Sequence, residues 1–580
     1  MKRTTKSSLR SRSIDFNRNF LDPDTPISCL GTGEMGGKAE GLAFISDILH
    51  SELDQEKFPD IKVEIPSMAI LCTDVFDSFM EQNLLYDLAY SDLPDSRVAH
   101  AFQKAELPFE VLGDLRSIVD QVHTPLAIRS SSMLEDTKNE PFAGIYHTKM
   151  IPNNEYDPDV RFRQLAEAIK FIYASTYFKG AKGYRRTIGH KDEDEKMAVI
   201  IQELVGKRYR NRFYPEVAGV ARSYNYYPLR PAKPEDGVVN LALGLGKTVV
   251  DGGISWAYSP AFPKAEPPFG SVSDMLKETQ TKFWLVNMGE PPKYDPINEG
   301  EYITQDNITA AEEDGSLQYA ASTYNALAGR LSIGTGFKGP RVLTFAPLLV
   351  LKLVPFNDLM KSLLSICEQS LSTPVEIEFA MTFNPHRFGF LQVRAMAVPT
   401  DVIHVSEAEL EGENVFLSSE GVLGNGAVEN IKDVVYVKPE SFDLKYTKSI
   451  VPELESFNDK LLEADIPYLL IVFGRLGTTD PWLGIPVQWG QVCGAKVIVE
   501  ATLENVRVEL SQGAHYFHNM INLGIKYFSL PFNRQYKIDW EWLKEQEIID
   551  ETRFVRHVRL EAPLKIRVDG RRSRGVICKP

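Results

Sequence analysis

Cysteine is scarce in this chain and never clustered. The five cysteines (Cys29, Cys72, Cys367, Cys493 and Cys578) form no Cys-x-x-Cys pair. That argues against a disulfide framework or structural zinc site and fits a reducing compartment, with the cytoplasm as the expected location. Long apolar runs are absent too, so no membrane partner is expected. Basic charge is not in excess: 64 Lys and Arg stand against 79 Asp and Glu, a formal charge of −15. This argues against broad nucleic-acid binding but leaves room for a local cationic site. Glycine and proline, at 39 and 35, are too few for low complexity, and no internal repeat is visible.

What is present is an ordinary globular mixture of 43% hydrophobic and 25% charged residues, with 580 residues implying two to four domains. The start, MKRTTKSSLRSRSID, is basic and serine-rich with no apolar segment behind it, unlike a secretory signal. Residues 1–25 are expected to be a disordered basic tail, with a transit peptide as the alternative. After it, Gly36-Gly37-Lys38 opens a helical pattern carrying Leu42, Ile45, Ile48 and Leu49 on one face. Strand-like runs follow at Leu126–Ile128, Met197–Ile201, Val217–Ala221 and Val239–Leu243. Val375–Phe379 and Phe390–Arg394 read as an antiparallel pair across a turn containing Asn384-Pro385. Strands and helices interleave, so the class is α/β or α+β. A boundary is expected near residues 398–415, dividing a unit at 26–400 from a smaller C-terminal α/β domain at 401–580. The latter should end in a strand at Leu564–Val568 and an Asp569-Gly570 turn.

Three segments carry chemistry. In Gly31–Lys38, glycines precede a helix whose N-terminal amides suit phosphate, and Lys38 adds a mobile charge. It is not a P-loop, because Ala39 stands where Ser or Thr is required, and a plain helix entry is the alternative. In Leu126–Ser132, Arg129 ends a strand ahead of three serines, and the loop with Gly144 lies downstream. The planar guanidinium of Arg129 suits phosphate oxygens, against the alternative of an ordinary polar loop. In the third, strand alternation puts Glu376 and Glu378 on one face, and Gln392 and Arg394 on the matching face of the partner. Leu391 and Val393 should point the other way. Such oxygens suit magnesium and the arginine suits a transferring phosphoryl group, against the alternative of a solvent-facing ion pair.

These segments resemble the nucleotide-binding domain shared by phosphoenolpyruvate synthase, pyruvate phosphate dikinase, glucan water dikinase and rifampicin phosphotransferase. The matching pieces stand in family order over residues 31 to 398: GGKAEGL, AIRSSSMLEDTKNEPFAGIYHT, IIQELV, VAGVARS, GLGKTVVDGG, and IEFAM followed by LQVRAM. The resemblance implies an ATP-grasp-like fold and an ATP-dependent, magnesium-dependent phosphotransferase. It implies that Lys38 and Arg129 contact the phosphates of ATP, and that the loop with Gly144 and Thr148 forms a lid. Gln202, Glu203 and Val205 would read adenine together with backbone near Leu204. Glu378 and Gln392 would hold Mg2+, and Arg394 would meet the transferred phosphoryl group, with Lys38, Arg129 and Arg394 as the catalytic set. Departures are Lys247, where the family usually has an acidic residue, and an expanded turn containing NPHRF.

In the complete dikinases the resemblance implies two further parts, a phosphohistidine domain and a pyruvate-binding barrel. A (β/α)₈ barrel typically takes ~250 residues, more than follow the ATP domain here. None of the ten histidines follows a TxxGG motif. The nearest candidate is His515, in Ser511–His515, read either as a phosphocarrier or as a helix-start histidine without chemistry; His518 lies on the same face. The turn-rich stretch Phe473–Trp482 reads either as an anion-binding loop with Arg475 as its clamp, or as a structural loop pinned by Trp482. The expectation is therefore an ATP-dependent phosphotransferase whose acceptor, a small molecule or a partner protein, is not identified. The alternatives are a non-catalytic nucleotide sensor that engages a protein, and carboxylate–amine ligation.

Overall fold

The computed structural model describes residues 14–22, 25–135, 144–187, 189–226, 228, 231–265, 275–276, 279–326, 329–396, 403–478, 481–503, 520, 524–532, 536–570 and 572–580. Residues 1–13 of the expected tail, Phe142 and Ala143 ahead of the lid glycine, Thr479, Asp480, His515 and His518 lie outside them. Among the described residues, no helix is long and apolar enough to cross a membrane.

Two six-stranded sheets frame the N-terminal region. The first runs Ile14–Asp15, Ile27–Leu30, Met68–Leu71, Met197–Glu203, Leu126–Ser132, Thr148–Ile151. Its Met197–Glu203 strand reads MAVIIQE and is buried along nearly its whole length, which explains its unbroken apolar run. The second runs Trp256–Tyr258, Val238–Ala242, Val217–Arg222, Val375–Thr382, Arg387–Ala395, Lys62–Glu64. Helix Gly37–Glu52 packs against strands of both sheets. It buries Leu42, Ile45 and Leu49, as the periodicity predicts, whereas Ile48 is only half-buried.

The Val375–Thr382 and Arg387–Ala395 strands pair antiparallel, with Glu376 opposite Arg394 and Glu378 opposite Gln392. The ladder then slips, so that Phe379 pairs with Phe390 and Leu391 is the extra residue of a bulge. This corrects the simple alternation. Phe390 and Val393 enter the core, while Leu391 turns to the side of Gln392 and Arg394, because a bulge locally breaks the two-residue period.

The C-terminal region is built on a seven-stranded sheet, ordered Val422–Leu423, Lys526–Leu530, Ala495–Ala501, Tyr468–Phe473, Asp433–Val437, Val555–Arg559, Glu547–Glu551. Its Lys526–Leu530, Ala495–Ala501, Tyr468–Phe473 and Asp433–Val437 strands are parallel, and helix Thr447–Glu463 supplies one crossover. The expected terminal strand is Lys565–Asp569, turning into Arg574–Cys578. Among the described residues, no sheet mixes strands from the two sides of residues 397–402. The apolar core nevertheless runs through both, joining Phe76 and Tyr173 to Ile471 and Val499.

The expected disordered tail needs correction over residues 14–22. Ile14–Asp15 pairs with Ile27–Leu30, Phe20 is buried, and the Arg18 carbonyl accepts from Ser117 and Gln121. Burial and backbone pairing order this stretch despite its polar composition.

Candidate active site

A cleft of about 440 Å³ opens between the two N-terminal sheets, within the size range of small-molecule sites. The strand Leu126–Ser132 delivers Ala127 and Arg129 to it, and Thr148–Ile151 delivers Thr148 and Met150. Met197–Glu203 and its continuation bring Gln202, Glu203, Leu204 and Val205, and the opposing sheet brings Glu378 and Leu391. Gly144 sits at the rim.

Arg129 ties these walls together. One guanidinium nitrogen donates to Gln202 Oε1 at 3.3 Å and to the Leu391 carbonyl at 2.9 Å. The other donates to Gln392 Oε1 at 3.0 Å and lies 3.8 Å from Glu378. Arg394 stands 3.5 Å from Glu376 and 3.4 Å from Glu378, as the shared strand face predicts. Glu376 is 3% exposed and is also held by Arg222 at 2.7 Å. Two carboxylates thus stand among three guanidiniums beside the cleft, where a lone buried charge would be costly.

Three of the expected groups carry contacts within the protein. The Lys38 ammonium does not reach the cleft wall. It donates to the Ser130 carbonyl at 2.9 Å and to Glu135 at 3.1 Å, on the side of the strand away from Arg129. The glycine-rich entry is not an open phosphate cradle. Asp74 accepts from the amides of Thr32 and Gly33, Thr73 from Glu34, and Ser131 Oγ from Ala39. Its glycines serve close packing instead: a Cβ on Gly36 would stand 1.8 Å from the Ser131 carbonyl oxygen, and one on Gly37 would stand 1.7 Å from that of Glu135. Glu203 spends its carboxylate on Arg387, and the amides of Glu203 and Leu204 donate to Ser67 and Pro125, so these groups are already engaged.

A second polar cluster was not legible in the sequence. His147 Nδ1 lies 2.8 Å from Glu299, whose other oxygen accepts from the Thr148 amide at 3.1 Å. Burial pushes Glu299 up, but the His147 and Lys247 charges outweigh it and hold the carboxyl at about 2. Burial lowers the His147 imidazole, yet Glu299 leaves its pKa raised. Lys247 pairs with Asp251 at 2.6 Å, and its pKa also stays raised against burial because of Asp251 and Glu299. His147 lies within the matching piece ending FAGIYHT, which is the one signal that could have found it; Glu299 stands in a loop without a motif.

From the C-terminal region, Arg475–Thr478 and Pro486–Gly490 complete the wall. Trp482 is 67% exposed, whereas Trp489 is 4% exposed.

Among the described residues, no group of three or more His, Cys, Asp or Glu side chains is arranged to hold a metal. The oxygens of Glu378 and Gln392, opposite each other across the strands, fit magnesium only if phosphate oxygens and water complete its shell.

Residues 32–412 match the family model described as pyruvate phosphate dikinase, AMP/ATP-binding domain. The chain is similar to an uncharacterized phosphotransferase, YvkC, of Bacillus subtilis (strain 168), at 23% identity over 33% of this chain and 20% of that protein. It is also similar to a rifampicin phosphotransferase of Streptomyces sviceus, at 25% identity over 33% of this chain and 22% of that protein. The chain thus spans about a fifth of the length of the curated relatives it matches.

Proposed function

The chain belongs to the pyruvate phosphate dikinase AMP/ATP-binding domain family, and from that membership and the cleft's geometry we propose that it is an ATP-dependent phosphotransferase. The observation that carries this reading is the convergence of Arg129, Gln202 and Glu378 at one cleft, from strands far apart in sequence, with Gln392 and Arg394 directly behind them in contact with Arg129 and Glu378. Adenine lies in the apolar part, among Ala127, Met150, Leu204, Val205 and Leu391. The polyphosphate runs toward Arg129, Thr148 and the rim glycine Gly144. Glu378 and Gln392 would hold Mg2+, whose charge would screen the phosphates for in-line transfer. Arg394 exchanges its carboxylate contacts for the transferring group and offsets charge developing there. Lys38 acts as a positioning residue, fixing the Ser130 backbone beside Arg129.

ATP labelled at the β or γ position tests this. Label appearing on the protein, a partner or a small molecule, with AMP or ADP released and both lost in Glu378→Ala, is the expected result. No product above that variant rejects transfer, and binding without turnover would favour a nucleotide sensor.

A further inference from the structure

The loop Arg475–Thr478 enters the cleft from the C-terminal sheet, and its backbone is fixed there. Gly474 and Gly477 hold φ of 74° and 79°, a left-handed conformation that glycine adopts without steric cost. Between them, Arg475–Leu476 pairs in parallel with Gly484–Ile485, so closely that a Cβ on Gly484 would stand 2.0 Å from the Arg475 carbonyl oxygen. Beneath the loop, the fully buried carboxylate of Glu500 accepts from the Leu476 amide at 2.9 Å and from the Tyr527 hydroxyl at 2.9 Å. The neighbouring wall is seated by glycine against glycine: a Cβ on Gly490 would stand 2.5 Å from Gly180 Cα.

This scaffold places Arg475 on the cleft wall with 6% exposure, its guanidinium donating to the Gly252 carbonyl. Gly252 closes the turn after Lys247 and Asp251, which line the same cleft. The wall carries four carboxylates (Glu203, Asp251, Glu299 and Glu378), of which Glu203 faces Arg387 and Glu299 faces His147. Arg129 faces Glu378 and Lys247 is paired with Asp251. A polyphosphate brought into this cleft adds negative charge to a wall whose carboxylates each face a cation already, and a planar guanidinium engages phosphate oxygens more specifically than an ammonium does. We propose that Arg475 is a phosphate-binding residue of the nucleotide site, supplied by the C-terminal region. The proposal rests on the nucleotide reading above and makes the C-terminal region part of the ATP site.

Calorimetry on the full chain with ATP·Mg and with adenosine, for wild type, Arg475→Gln and Arg475→Lys, tests it. Arg475→Gln is expected to weaken ATP binding about tenfold or more while adenosine changes less than about twofold, with Arg475→Lys between. Equal weakening of both ligands would make Arg475 a purely structural support and overturn the proposal, as would no change in either. If Arg475→Gln does not fold, the ATP-to-adenosine ratio of Arg475→Lys decides in the same way. Wild type that binds no ATP removes the nucleotide reading itself, and the Arg475 proposal with it. Wild-type binding with an unchanged Arg475→Gln removes only the latter.

Discussion

Glu378 sits between two guanidiniums, 3.8 Å from Arg129 and 3.4 Å from Arg394. Replacing it with Gln keeps the shape but removes the charge that pairs these cations and, in the proposed mechanism, holds magnesium. Phosphoryl transfer in Glu378→Gln is expected to fall by about 100-fold or more, measured as labelled product per minute. The face shared by Glu376, Glu378, Gln392 and Arg394 was legible because side chains alternate along the regular part of each strand. Leu391 was not, because a bulge carries no signature in a single sequence. His147 and Glu299 were hidden for another reason, since their contact joins residues from distant loops. Their titration has a definite sign. The Glu299 contribution is full above its ordinary value of 4.5 and is lost as pH falls toward about 2. The His147 contribution is full below its ordinary value of 6.5 and is lost as pH rises through the raised value. Melting temperature followed from about pH 5 to about pH 9 should therefore show an alkaline decline that His147→Gln flattens. An unaltered decline in the variant would assign it to another group.

Among the elements, helix Gly37–Glu52 shows what sequence reading got right and what it missed. Its apolar stripe gave the buried face correctly over Leu42, Ile45 and Leu49. Its glycine-rich entry read as a phosphate cradle because close backbone approach to a ligand and close backbone approach to another strand demand the same residue. Two substitutions at this helix separate the uses of glycine. Gly36 has φ 77° and no room for a Cβ beside Ser131, so Gly36→Ala is expected to destabilise the chain by about 2 kcal/mol or more in urea unfolding. Gly41 lies inside the helix, where a Cβ would meet only the Val393 carbonyl oxygen at an ordinary 3.9 Å. Gly41→Ala should stabilise the chain by about 0.5–1 kcal/mol.

For the whole molecule, the order of strands and helices announced an α/β chain with a family-type nucleotide domain, and the match over residues 32–412 agrees. The seam between the two regions was not legible, because Gly180 and Gly490 meet across more than half the chain and neither has a motif pointing to the other. The cleft draws on both regions, so ligand there should stabilise them together. At ATP·Mg about 100-fold above its dissociation constant, unfolding should be opposed by ~2.7 kcal/mol. Calorimetric melts should then shift as a single transition; a shift confined to one of two transitions would show that the regions respond separately.

The most direct measurement is a crystal structure of the full chain with ATP and magnesium. It should place adenine against Ala127, Met150 and Leu204, the metal between Glu378 and Gln392, and the polyphosphate beside Arg129. Nucleotide bound elsewhere, or no nucleotide at saturating ATP in this cleft, would contradict the account.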